Sequence, residues 1–393
     1  MRVYIGSSLE KFKISGEHAD LQSLIRQLKL RQIDVQMVTA SSEEANKEKF
    51  VTNKTANLLF PHFFSLIKLL FKIRGLPKKS IIMIQLPSPG FVVFTDLLKL
   101  FTGRRELHII VLFAGMCIPR TGKVLKEVLS RNFNYYLIRI MINNQILPRL
   151  FSFCAEAYIV PTEIQKRQLV RFGVDNKKIK KINNIFDKKF QQMPAEEKVY
   201  RKKMKYNITG NALTYIGHFL HNKGIDVVIR AFNKYSEIDP ECKLILCWSG
   251  LGNIKSIKKQ IKPLKEKVVL LNKVDIGEIF SISNILLAPY VFDFATNLYP
   301  RVLLEAFAFG IPVISTDVIV TKELSPYKGQ ETLLRARASD DEDLAGLIRI
   351  LINDKEKALR MAKAQKAFME EYFNPENTIQ QYLHLFKSFH NGN

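Results

Sequence analysis

The chain has 393 residues, 47% apolar and 25% charged, a make-up that suits a globular protein with two cores and excludes a disordered or collagen-like chain. No apolar run reaches the roughly 18–20 uncharged residues of a membrane span, and the apolar start is too short before its charges for a signal peptide. Net charge is +23 and is concentrated early: residues 1–190 hold 32 Lys/Arg against 14 Asp/Glu, and residues 51–150 hold 15 against 3.

Such a basic half suits nucleic acid or an anionic lipid surface, or serves solubility alone. Cys117, Cys154, Cys242 and Cys247 are badly spaced for a structural zinc site, so a reduced, cytosolic setting is expected.

Apolar strands alternate with helical patterns along the chain. The first series of predicted strands is 2–7, 34–40, 81–86, 107–113 and 157–161. A second series follows at 212–217, 242–250, 267–272, 285–290 and 312–316. Continuous apolar strands separated by helices indicate parallel sheets covered on both faces. Because the series runs twice, the fold class expected is α/β with two doubly wound domains, broken at the polar stretch near 186–208. A last helix after Asn374-Pro375 carries Ile379, Tyr382, Leu383, Leu385 and Phe386 as an apolar stripe. Sequence alone leaves open which domain takes that stripe.

In a doubly wound domain, ligands bind beyond the carboxyl ends of the strands, where helix N-termini point at them. Four segments fit that position. In "SGEHADLQSLIRQL" (15–28), Gly16 precedes a helix whose free N–H groups suit a phosphate; a simple turn explains it as well. In "YIGHFLHNKGIDVVIRAF" (215–232), a strand ends at Gly217 and Lys223-Gly224 precedes an amphipathic helix. A lysine there neutralises a diphosphate, or is a solvated loop lysine. In "NLYPRVLLEAFAFGIPVIST" (297–316), Pro300 suits a first helical turn and Glu305 falls in the second, where a carboxylate can accept both hydroxyls of a ribose. The fourth, 161–187, joins a strand end, a helix and a basic run, and says little about chemistry.

Together these segments resemble glycosyltransferases of the GT-B fold, in the large retaining family 4 of the "glycosyl transferases group 1" type. The most specific matches are "YIGHFLHNKGIDVVIRAF" with the family's GRLxxxKGxDxLIxAF and "NLYPRVLLEAFAFGIPVIST" with EGFPxVLLEAMAxGxPVIxT. The resemblance implies two Rossmann-like domains facing a cleft. It divides the chain into an acceptor-side domain (1–187), a nucleotide-sugar-binding domain (206–372) and a C-terminal helix (373–393) packing back on the first. It implies sugar transfer from a nucleotide diphosphate sugar, with retained configuration, no metal and no cofactor. By position, Lys223 would bind the leaving diphosphate and Glu305 the ribose. The N–H groups around Arg301 and Val302 would cap the phosphates, Val274 would lie beside the base, and Gly16 would let the first domain close on the phosphates.

The match departs from the family at three places. Asn297 replaces a glutamate that holds the sugar hydroxyls, keeping hydrogen-bonding capacity without charge. His218 replaces an arginine that assists the lysine. Phe113-Ala114-Gly115 stands where the family has a histidine, for which His18 and Arg120 are the substitutes considered. These departures leave two expectations: an active, divergent hexosyltransferase, and a non-catalytic nucleotide-sugar-binding or scaffold subunit. No nucleic-acid-binding module is recognisable, so nucleic acid is not an expected partner.

The acceptor is read from charge alone. "FPHFFSLIKLLFKIRGLPKKS" (60–80) is apolar around much of its circumference, with Lys68, Lys72 and Arg74 near one side. That composition fits a helix on an anionic membrane, and equally a core helix with a basic edge. With Arg104, Arg105, Arg120 and Lys123 nearby, the expected acceptor is a glycan or a lipid-linked molecule at the cytosolic membrane face.

Overall fold

The structure is a computed structural model. It describes residues 2–7, 16–38, 68–69, 71–73, 75–86, 88–102, 107–113, 115, 145–186, 194–272, 274–292 and 298–390, without the side chains of 16–19, 101–102 and 265. The chain divides into two compact units, Met1–Ile185 with Pro375–Asn393, and Phe186–Asn374.

The first unit contains β1 (Arg2–Ser7), α1 (Gly16–Leu30), β2 (Asp34–Val38), β3 (Ile81–Leu86), α2 (Val93–Thr102), β4 (His108–Phe113), β5 (Ala157–Val160), α3 (Glu163–Arg171) and β6 (Ile179–Lys181). The strands form one parallel sheet in the order β2-β1-β3-β4-β5-β6. Every residue of β3 is buried, as expected of a central parallel strand covered on both faces. One face packs Leu69, Ile73, Phe94 and Leu98 against Ile82, Ile84, Ile109 and Val111. The other receives Leu21, Leu24, Ile25 and Leu28 of α1, a stripe at helical spacing, against Val3, Ile5 and Met83.

That second face also takes the last helix, α11 (Pro375–His390), whose Ile379, Tyr382, Leu385 and Phe386 are all buried there. Arg31 at the end of α1 forms an ion pair with Glu376 at the start of α11.

The second unit contains α4 (Glu196–Lys205), β7 (Ala212–Phe219), α5 (Ile225–Ile238), β8 (Lys243–Gly252), α6 (Ile254–Gln260), β9 (Val268–Asn272), α7 (Ile276–Phe280), β10 (Ile285–Leu287), α8 (Arg301–Phe309), β11 (Val313–Thr316), β12 (Leu334–Ala336), α9 (Asp341–Asn353) and α10 (Lys355–Tyr372). Its parallel strands lie in the order β12-β11-β10-β7-β8-β9. Asp275, Asp340 and Asp354 cap α7, α9 and α10 through side-chain oxygens that accept from backbone N–H groups. Two short strands, β6 and β12, complete the sheet edges beyond the ten strands expected from sequence. The polar stretch near 186–208 is not only a break, because it holds α4.

Candidate functional site

The order of the second sheet has a direct consequence for binding. Chain progress runs from β7 to β8 and β9 on one side, and β10 lies on the other. The reversal point falls between β7 and β10, and ligands bind doubly wound sheets at the carboxyl end of such a point. The segments after β7 and β10 leave the sheet side by side there, and they carry most of the residues singled out above.

The β7 segment passes through His218 and a single 3-10 turn, His221–Lys223, into α5. Gly224 joins turn to helix with φ +74°. A Cβ on Gly224 would stand 1.9 Å from the carbonyl oxygen of Pro289, so glycine is required twice, by conformation and by close approach. That approach brings the two segments together. The Asn222 carbonyl accepts from the Val291 N–H at 3.1 Å, and Lys223 Nζ lies 5.1 Å from the centre of the Tyr290 ring. A cation over a tyrosine face is attracted by the ring quadrupole, which orients the lysine. Tyr290 is held in turn by the Thr316 hydroxyl, which donates to its carbonyl at 2.5 Å.

His218 is anchored at both backbone and ring. The Tyr215 hydroxyl donates to its carbonyl oxygen at 2.6 Å, and Ser249 Oγ at the end of β8 lies 2.5 Å from its Nδ1. Burial pushes the Tyr215 and Tyr290 phenols well above their ordinary range, so both are neutral donors at physiological pH. Behind the turn, His221 Nδ1 lies 3.5 Å from Asp226 Oδ2, and Gln260 donates to the other oxygen of Asp226 at 3.0 Å. The His221 contact, followed by the Gln260 hydrogen bond, outweighs desolvation and holds the Asp226 carboxyl below its ordinary value.

After β10 the chain reaches α8. Pro300 is the N-cap of that helix and not its first residue, and its carbonyl accepts from the N–H groups of Leu303 and Leu304. The N–H groups of Arg301 and Val302 belong to the first turn, which has no partner within a helix. Gly310 closes α8 in a left-handed conformation, φ +69°. Leu303, Leu304, Ala306 and Phe307 are buried, and so is Glu305, with 4% exposure. Arg301 Nε donates to Glu305 Oε1 at 2.9 Å, and the Arg301 guanidinium also lies 5.5 Å from the centre of the Phe186 ring. The carboxylate therefore enters the core paired, as a buried charge must.

The structure brings together Lys223, His218, Arg301, Val302 and Glu305 on segments at the carboxyl edge of the second sheet. Val274 follows β9 at the same edge, partly buried against the core containing Ile245 and Ile279. Gly16 begins α1 in the other unit. Asn297, Arg74, Ala114, Arg104, Arg105, Arg120 and Lys123 lie outside the described residues, as does the side chain of His18.

Three contributors escaped the sequence reading. Ser249 and Tyr290 end predicted strands, a position that already marks the ligand edge. Tyr299, just before Pro300, has φ +57°, which no local signal announces; its ring packs edge-on against Phe373 and Phe368. Among the described residues, no group of three or more His, Cys, Asp or Glu side chains could hold a metal ion.

Residues 196–368, nearly all of the second unit, match the family model described as Glycosyl transferases group 1. An uncharacterized glycosyltransferase of Methanocaldococcus jannaschii is 29% identical over 176 residues, covering 42% of this chain and 40% of that protein. The chain spans less than half the length of the curated relatives it matches. Sucrose-phosphate synthase from Thermosynechococcus elongatus superposes with a TM-score of 0.75 at 16% identity, over 100% of both chains. Anabaena HepE in complex with UDP-glucose does so with a TM-score of 0.69 at 15% identity, over 99% of this chain and 100% of that one. The class these define is GT-B, the glycosyltransferase fold of two Rossmann-like α/β domains. Within that fold, the unit carrying the group 1 match is the one that holds Lys223 and Glu305.

Proposed function

We propose that the protein is a retaining, metal-independent hexosyltransferase that moves a sugar from a nucleotide diphosphate sugar to a glycan or lipid-linked acceptor. The observation that carries this reading is that Lys223, over the Tyr290 ring, and the start of α8 follow the two strands that flank the reversal point of the second sheet, with buried Glu305 one turn inside the helix. Sugar transfer breaks the bond between the anomeric carbon and the diphosphate, so negative charge builds on the departing oxygens. Lys223 and the first N–H groups of α8, at Arg301 and Val302, are fixed donors for that charge. Glu305 binds the ribose, Val274 flanks the base, His218 assists Lys223, and Asn297 binds the donor sugar. Gly16, at the start of α1, lets the backbone approach the phosphates. The HepE complex makes UDP-glucose the first donor to try.

The membrane face enters through the first unit. Leu69 and Ile73 are buried while Lys68, Phe71 and Lys72 are exposed, which supports docking of this segment on an anionic cytosolic surface. The amide at position 297 favours a second reading, a nucleotide-sugar-binding subunit without catalysis. A radiolabelled donor assay separates the two: sugar transfer or donor hydrolysis is expected, and saturable donor binding without turnover establishes the second reading.

A further inference from the structure

Helix α4 presents a surface that the donor site does not use. Its inner side is Val199, which packs with Tyr206 against the core containing Ile208 and Ile245. Lys198, Arg201, Lys202 and Lys205 follow at intervals of three and four residues, so they share one side of the helix. All four line a groove of about 310 Å³ between α4 and α7, with Pro194, Glu278 and Ser281. Glu278 pairs with Lys202, and Glu197 pairs with Arg201. Lys198 and Lys205 have no carboxylate partner among the described residues. Like charges one turn apart oppose helix formation, so this row is held against its own repulsion.

Beside the cations, on the solvent side, Tyr200 and Met204 are one turn apart and 65% and 60% exposed. A tyrosine and a methionine in water next to a row of cations is the pattern of a helix lying at the headgroup–acyl boundary. There apolar side chains enter the boundary and long basic stems reach the phosphates.

We propose that α4 is a docking face for an anionic phospholipid surface. The groove cations meet headgroup phosphates, and Tyr200 and Met204 enter the boundary. Charge complementarity selects the partner, and the exposed Met204 favours lipid over nucleic acid, since a thioether offers nothing to a phosphate backbone. The inference rests neither on the donor site nor on Lys68 and Lys72, which belong to the other unit. Glu197 stands on the exposed side among the cations and opposes an acidic surface, which gives the proposal a prediction of opposite sign.

The test is sedimentation of the full chain with neutral and acidic phospholipid vesicles at low and high salt, with thermal melts as folding controls. Lys198→Ala/Arg201→Ala/Lys205→Ala should lower partitioning onto acidic vesicles roughly a hundredfold at low salt, and Glu197→Gln should raise it about fivefold. Tyr200→Ser/Met204→Ser should weaken the binding that survives high salt. Because these side chains are exposed and the cations repel one another, the melts should show no loss of folded protein, and donor affinity should be unaffected. Vesicle binding that responds to neither charge change overturns the proposal. So does a triple variant that loses only binding to DNA, RNA or inorganic phosphate.

Discussion

The proposed function gives Lys223 and Glu305 different work, and substitution should separate them. On the proposed function, Lys223→Ala removes a charge-assisted contact to the leaving diphosphate, an expected loss of about 2–4 kcal/mol of transition-state stabilisation, or roughly 30- to 1000-fold in rate. As the proposed ribose ligand, Glu305 would bind equally in ground and transition states, so its loss should raise KM for the donor and leave kcat nearly unchanged. The structure adds a complication: Glu305→Ala removes the carboxylate that pairs with Arg301, and breaking a buried pair costs up to about 3–5 kcal/mol of stability. Glu305→Gln is the cleaner variant, with melting temperature measured beside kinetics; wild-type kinetics in a folded protein would remove Glu305 from the site. Asn297→Ala should lower transfer more than affinity for the free nucleotide. For Asp226 the sign follows from its carboxyl being held low in the folded protein. It stabilises the fold above the unfolded value near 3.8, and that stability is lost as pH falls through the lower folded value. Asp226→Asn should therefore melt earlier than the parent at pH 7, with the gap closing below about pH 4.

At the scale of elements, the junction between the β7 segment and α5 is the most constrained point of the site. Gly224→Ala adds left-handed strain and a clash with the Pro289 carbonyl, an expected cost of about 2–5 kcal/mol. Because Pro289 adjoins Tyr290, the same change should displace Lys223 and weaken donor binding; calorimetry and an unfolding curve read the two effects. Helix α11 completes one core of the first unit although it lies at the other end of the chain. Its four buried hydrophobic side chains contribute about 6–12 kcal/mol by burial, comparable with the 5–15 kcal/mol stability of a whole domain. A chain ending at residue 374 should leave the first unit unfolded, with loss of its share of the circular dichroism signal and of protease resistance. A folded first unit in such a chain would show the helix to be dispensable.

For the whole molecule, charge and thiols supply the tests. Substituting Lys68, Lys72 and Arg74 by Ala should reduce partitioning onto acidic vesicles by about 3 kcal/mol, over a hundredfold, with an effect that fades as salt rises. Transfer to a soluble acceptor should persist, because none of the three is a proposed donor-binding residue. Equal vesicle binding by parent and variant would leave the basic first half without this explanation. Burial pushes the thiols of Cys242 and Cys247 up to about 12, so neither is a thiolate near neutral pH. Both should resist thiol reagents in the native protein and react once it unfolds, and fast native labelling would contradict their burial.

The sequence by itself determined the α/β class and the double series of parallel strands, and it put Lys223 and Glu305 in segments that follow strands of the second series. Apolar strands between helices can bury both faces only in covered parallel sheets, and glycine and proline punctuate the loops that carry ligand contacts. Strands β6 and β12 were missed because three residues at a sheet edge, as in Ile179–Lys181, leave no periodicity to read. Arg301 as the partner of Glu305 was legible in the four-residue spacing, but only burial makes that pair consequential. Sequence did not decide which core the stripe of α11 joins, nor that Tyr290 lies beneath Lys223, nor that Ser249 holds His218. Those contacts join residues 67, 31 and hundreds of positions apart, and only the order of strands in each sheet brings such segments together.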